Sequence, residues 1–386
     1  MTRPVDALFA PFRIGSLSLP NRLVMAPMGR LQTDNNLPRP TYPEYFRKRA
    51  AGGVGLLIGE AVAVDHAVAC SSDKHAFFHG DPALQAWKDV VDAVHGAGGA
   101  FMPQLWHGGL LRGPNRPGAF PNEHLESMGP SGWAVPLVHP QPIGSPIEAE
   151  GPLGIAMTER DIADVVASFA RAAADAVAIG ADGIEIHAAH GYLIDQFLWP
   201  RMNRRTDGYG GSIANRVRFA AEIVSACRAA VPSNFPIFFR YSQWKQQDYG
   251  ARPAATPAEL EQFLAPLVDA GVDLFDCSTR RFWEPAFAGS DLSVAGWTRK
   301  LSGRPTMAVG SVGLDKASWD TANAHSVSSA DAASLDPVIE RLERGEYDLV
   351  GLGRMLIPNP DWPQLIRSGA TDRIRPYSNA NLAEFP

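Results

Sequence analysis

The chain has 386 residues, 45% hydrophobic and 20% charged, an ordinary globular balance that leaves room for a large core. A formal net charge of -6 gives no nucleic-acid footprint, so an anionic ligand must be met by local positive groups. Cys70, Cys227 and Cys277 are widely spaced, no leader-like run opens the chain, and no apolar run nears ~18 residues, so we expect a reducing, cytoplasmic setting with no membrane span.

The first feature in chain order is Phe12-Arg-Ile-Gly-Ser-Leu-Ser-Leu19, read as a hairpin that plugs the bottom of a barrel. Strands are predicted over 23–26, 54–59, 101–105, 183–187, 236–241, 274–277, 306–309 and 348–352. Several are continuous apolar runs, as expected when both faces of a parallel sheet are buried. Helices are predicted over 82–97, 159–179, 213–230, 257–270 and 335–344. Thr158 with Asp161 forms a cap before the second helix, and Thr256-Pro257 opens the fourth. Residues 108–152 are rich in Gly, Pro and aromatics, and so long a loop reads as a lid over a site. Residues 322–334 read as surface disorder. The fold class is α/β. Eight strands with intervening helices predict a (β/α)8 TIM barrel with an N-terminal β-hairpin and a long loop after strand three, as a single domain over 1–386.

His187-Ala-Ala-His190-Gly-Tyr192 falls at the end of the fourth strand, where such barrels place chemistry. Two imidazole donors could polarise a carbonyl oxygen. Tyr192, a phenol with an ordinary pKa near 10, would act as an acid beside it. A metal site is the rival, with His107 as a third ligand, but a further ligand is not evident. Gly310 and Ser311 end strand seven, and Gly353 and Arg354 end strand eight. Barrels commonly bind phosphate at those two loops, through backbone N–H groups. Gln104 ends strand three and offers donor and acceptor to a uracil-like edge, while Arg216 suits an electron-rich carbonyl. Among the loop aromatics Trp244, Phe282, Trp283 and Trp297, Trp283 is the best pocket candidate.

Taken together, these motifs resemble the old yellow enzyme family of FMN-dependent ene-reductases. The resemblance rests on Leu8–Gly15, Asn21–Met28, Gln104–His107, His187–Tyr192, Asn203–Ser212, Asn215-Arg216 and Gly351–Arg354, in order along nearly the whole chain. It implies one FMN at the barrel mouth, reduced by NADPH or NADH. Pro27, Met28, Gly29 and Ala61 would lie against the ring, Gln104 at its pyrimidine edge, and Arg216 at its N1/O2 side. Gly310, Ser311, Gly353 and Arg354 would hold the phosphate. His187 and His190 would bind the oxygen of an enone or enal, Tyr192 would protonate its α-carbon, and Trp106 and Trp283 would shape the pocket. Hydride would go to the β-carbon. One departure stands out: many members carry Thr or Cys beside the flavin O4, and this chain has Gly29.

Other readings remain open at this point. Flavin chemistry such as amine demethylation, a non-catalytic flavin sensor, and a metal-dependent barrel hydrolase using His187 and His190 are the alternatives. The expected partners are small molecules, with no metal, nucleic acid or membrane, in a monomer or small homo-oligomer.

Overall fold

The computed structural model describes residues 3–112, 122, 124–138, 147, 149–314 and 335–385. Eight parallel strands close into a barrel in strict sequence order. They are Leu23–Met25, Leu56–Ala63, Ala100–Trp106, Ile184–His190, Ile237–Lys245, Leu274–Ser278, Thr306–Val309 and Leu349–Leu352. The last pairs with the first, Val350 opposite Leu23, so no edge is left open. The predicted TIM barrel is therefore the observed one. Helices over Asp81–Gly96, Glu159–Ala178, Ile213–Ala230, Pro257–Ala270 and Asp336–Glu343 match their predicted spans to within a residue or two. Tyr42–Ala51, Leu193–Leu198, Val294–Ser302 and Trp362–Ser368 are additional helices.

Local chemistry explains the starts of the long helices. Thr158 Oγ1 accepts the Asp161 N–H at 3.2 Å while Asp161 Oδ2 accepts the Thr158 N–H at 2.8 Å, a reciprocal capping box. Thr256 Oγ1 likewise accepts from Glu259 N at 3.2 Å. The apolar faces of these helices pack outside the barrel, with Phe169, Phe219 and Phe263 buried among them.

The N-terminal hairpin pairs Phe12–Ile14 with Leu17–Leu19. Leu17 and Leu19 join a buried cluster with Val24, Ile58, Met102, Phe238, Leu274, Met307 and Leu349 from the barrel strands. Its Ser16 N–H donates to Asn234 O, just before the fifth strand. The hairpin thus closes the end of the barrel opposite the strands' C-termini, as predicted. Its turn needs Gly15, because a Cβ there would lie 2.3 Å from Asn234 O and φ is +55°.

Within 108–152 the described parts are short. Gly109–Arg112 is one 3-10 turn, Met128–Gly129 pairs with Ile155–Ala156, and Trp133–Ala134 pairs with Gly151–Pro152. Much of the expected lid, and all of 322–334, lies outside the described residues. No described helix is long and apolar enough to cross a membrane.

Candidate active site

At the C-terminal mouth, the fourth strand ends in a bulge. Ala188 pairs with Tyr241, but His190 pairs with Lys245, so the register shifts between them. Bulges re-aim side chains next to active sites. Here the bulge leaves His190 at φ +63°, an uncommon conformation for a residue with a side chain. Neighbours from strand five hold it there. His190 N–H donates to Ser242 Oγ at 3.0 Å, its carbonyl accepts from Gln246 Nε2 at 3.1 Å, and its ring stacks on Trp244 at 4.5 Å. Gly191 follows because a Cβ would lie 2.0 Å from Gln247 Oε1.

The two imidazoles and the phenol meet as the spacing predicted. His187 lies 5.1 Å from His190 and 5.1 Å from Tyr192, centroid to centroid, both edge to face. Tyr192 in turn meets Trp106 edge to face at 5.2 Å. Burial, reinforced by the Arg240 charge, holds His187 well below the usual imidazole pKa. His190 is held down in the same way, mainly by burial and then by His187, Arg240 and Lys245. Both rings are therefore neutral at pH 7. His187 Nδ1 accepts the Ala189 N–H at 3.3 Å, which assigns the ring proton to Nε2 and makes that atom a donor. His190 Nε2 is tied to Ser278 Oγ at 2.8 Å. Burial raises the Tyr192 pKa, against an opposing hydrogen bond from Gln246, so its proton is retained.

These groups line two adjoining cavities that share Pro27, His190 and Arg240. The larger, about 280 Å³, holds Gly29, Ala61, Gln104, Trp106, His187 and Tyr192. The smaller, about 170 Å³, holds Met28, Gly310, Ser311, Gly353 and Arg354. Gly310 has φ +145° and no room for a side chain, since a Cβ would lie 2.5 Å from Thr279 O. Ser311 follows at φ +56°. Such a turn turns backbone N–H groups toward an anion.

Two predicted residues stand elsewhere. Arg216 lines neither cavity, because its guanidinium is spent on the end of the short helix Leu193–Leu198. Its Nε donates to Leu198 O at 3.0 Å, and its Nη1 donates to Gly211 O. Trp283 also lines neither cavity; its ring packs on Phe282 at 5.1 Å and its carbonyl accepts from Arg341. Of the four loop aromatics, Trp244 is the one that faces the groove.

Sequence reasoning missed the residue at the junction, Arg240. It is buried on the fifth strand, with Nη1 3.2 Å from Asp276 Oδ2 and 4.0 Å from Glu185 Oε1. Glu185 also accepts from Gln104 Nε2 at 2.7 Å, which orients that amide. Burial and the nearby Asp276 push the Glu185 carboxyl well above its usual range, and burial raises the Asp276 carboxyl as well, with the Arg240 charge opposing both shifts. The signal was a lone arginine in the apolar run Ile237-Phe-Phe-Arg240-Tyr241.

A planar anionic cofactor fits this donor set. Arg240 Nε and Nη1 are buried and have no hydrogen-bond partner among the described residues. A bound polar edge would satisfy them, and the glycine loops would have backbone N–H groups to offer a phosphate. The metal alternative loses its third ligand. His107 Nδ1 accepts from Gly109 N at 3.0 Å and its Nε2 faces His66 Nδ1 at 2.9 Å. Among the described residues, no three His, Cys, Asp or Glu side chains gather as a metal set.

Fold and groove together define a parallel barrel whose mouth has room and donors for an anionic cofactor beside two neutral imidazoles and a phenol. The family model for NADH:flavin oxidoreductase / NADH oxidase matches residues 7–373, and the chain belongs to that family, the old yellow enzyme family. It is a flavin oxidoreductase of that type; the family uses FMN and NAD(P)H. Chanoclavine-I aldehyde reductase fgaOx3 of Penicillium roqueforti is 31% identical over 380 residues, covering 97% of this chain and 92% of its own. Morphinone reductase, solved in complex with tetrahydroNAD, superposes with TM-score 0.73 at 26% identity, over 98% of this chain and 97% of that one. The old yellow enzyme homologue of Zymomonas mobilis shares the fold, with TM-score 0.74 at 23% identity over 98% of this chain and 99% of that one. Two further relatives at 30% identity are longer, and this chain spans 51% and 53% of their lengths.

Proposed function

We propose that the chain is an FMN-dependent ene-reductase acting on small α,β-unsaturated ketones or aldehydes. The observation that carries this reading is the meeting of His187, His190 and Tyr192 in one cavity, with both imidazoles neutral and the phenol protonated.

Pro27, Met28, Gly29, Ala61 and Gln104 would hold the FMN ring, with Arg240 rather than Arg216 at its electron-rich edge. Gly310, Ser311, Gly353 and Arg354 would hold its phosphate. FMN, once reduced by NADPH or NADH, supplies the hydride that reaches the substrate's β-carbon. The protein's own part is electrostatic. His187 donates from Nε2 to the substrate carbonyl oxygen, and His190 adds a second polar contact there. Drawing electron density onto that oxygen makes the β-carbon electrophilic. Each such donor is worth roughly 1–3 kcal/mol when it strengthens in the transition state. Tyr192 then delivers its proton to the α-carbon, and the saturated carbonyl compound leaves. The aldehyde reductase and morphinone reductase names among the relatives support small carbonyl substrates, and the tetrahydroNAD complex supports a nicotinamide reductant.

The test is optical. Purified protein should carry a flavin absorption band that NADPH or NADH bleaches without oxygen, and cyclohexenone should restore it. A bleached flavin that no enone restores would reject the proposal.

A further inference from the structure

His75 lines the larger cavity, on the loop after the second barrel strand, and takes no part in the carbonyl clamp. Its backbone is fixed, since Asn36 Nδ2 donates to its carbonyl at 2.7 Å. Its ring is fixed too, stacked on Trp106 at 4.9 Å and 29°. Trp106 separates it from Tyr192, so the rings run His190, His187, Tyr192, Trp106, His75 along the pocket, each meeting the next at 4.9 to 5.2 Å. Both stacked rings carry an unmet polar atom. His75 Nδ1 and Trp106 Nε1 are buried, and neither has a hydrogen-bond partner among the described residues.

We infer that His75 and Trp106 form a polar subsite for a second oxygen of the substrate, a hydroxyl or carbonyl remote from the one held by His187 and His190. The chemistry of the two rings selects the group. An indole N–H only donates, so the partner must accept. Burial depresses the His75 pKa to about 4, so its imidazole is neutral and offers one donor and one acceptor. A hydroxyl oxygen accepts from the indole and donates to an imidazole nitrogen, while a carbonyl oxygen accepts from both. A carboxylate is a poorer fit, because neither ring brings a positive charge. The inference rests on the ene-reductase reading for its ligand class: enones or enals with a polar far end, rather than plain hydrocarbon ones.

The test uses the FMN-loaded enzyme and two enones that differ by one hydroxyl, benzylideneacetone and 4-hydroxybenzylideneacetone. The change in flavin absorption on binding to oxidised enzyme gives each Kd. The hydroxylated enone should bind about tenfold tighter, as expected when a site's polar groups gain their partner. His75→Leu should bring the ratio of the two Kd values close to one, and His75→Gln, which keeps a donor and an acceptor, should retain most of it. Equal affinities in the unmodified enzyme, or the same ratio in His75→Leu, would overturn the inference. Re-oxidation of reduced enzyme is measured with the same two compounds. Discrimination without re-oxidation rejects the ene-reductase reading and leaves the subsite standing; re-oxidation without discrimination does the reverse.

Discussion

Lys245 and Asp195 form a buried ion pair directly beneath the turn that carries Tyr192. Lys245 Nζ donates to Asp195 Oδ1, and the carboxylate's other oxygen accepts the Gly191 N–H at 2.8 Å. The pair thus links the end of strand five to the turn between His190 and Tyr192. Removing one partner strands the other charge, at a cost of about 3–5 kcal/mol in comparable buried pairs. Lys245→Met should therefore lower the unfolding free energy by that order in chemical denaturation. A loss under about 1 kcal/mol would mean the pair does not tie the turn down.

Arg240 and Arg216 should separate cleanly. Arg240→Met leaves Asp276 buried without its cation, and it should lose most FMN affinity as well as stability. Arg216→Met removes two bonds to backbone carbonyls outside the groove lining, and should keep FMN affinity within about threefold, for a stability loss of roughly 1 kcal/mol. Fluorescence titration of apoprotein with FMN measures both. Equal losses of affinity would contradict the placement.

Buried neutral histidines make the fold sensitive to acid. His75 is depressed to about 4, and His107, His187 and His190 lie well below the usual value, in each case mainly through burial. In the unfolded chain the same rings take up protons near pH 6.5. The stability they allow is complete above that pH and is lost as the pH falls toward their folded values. Each contributes a slope of about 1.4 kcal/mol per pH unit inside that window. The raised carboxyls of Glu60, Glu185, Asp195 and Asp276 oppose this trend, so the test is His75→Leu, which should remove about 2 kcal/mol of the change in unfolding free energy between pH 7 and pH 5. The same profile in His75→Leu as in the unmodified chain would show that this ring is not held neutral.

Gly29 leaves space for a tuning side chain. A Cβ there meets nothing within 4 Å, its backbone is unstrained, and it lines the larger cavity. Gly29→Thr should fold normally. If the new hydroxyl favours the reduced flavin by about 1–2 kcal/mol, the midpoint potential rises by roughly 20–45 mV. Spectroelectrochemistry reads this directly, and an unchanged or lower potential would remove Gly29 from the control of flavin reduction.

The barrel was legible in the sequence because its strands are continuous apolar runs at regular spacing, and because Thr158 and Thr256 mark helix starts by local chemistry alone. The cluster at the mouth was legible because His187, His190 and Tyr192 sit within six residues of one another. Arg240 was not, since nothing local tells whether a lone arginine in a strand points into the barrel or out of it. Arg216 misled for the same reason, as a helix face does not declare what lies opposite. Lys245 and His75 depend wholly on what the closed barrel brings near them. The strand holding Lys245 runs to that residue, beyond the predicted end at 241, because strand five must reach the bulge at His190.

The central claim is that Tyr192 is the proton donor of a clamp made by two neutral histidines. Stopped-flow measurement of both half-reactions in Tyr192→Phe tests it most directly. Reduction of the flavin by NADPH should stay within a fewfold of the unmodified enzyme, while re-oxidation by cyclohexenone should slow by about 10²–10⁴-fold. Equal losses in the two half-reactions, or no loss in re-oxidation, would contradict the account.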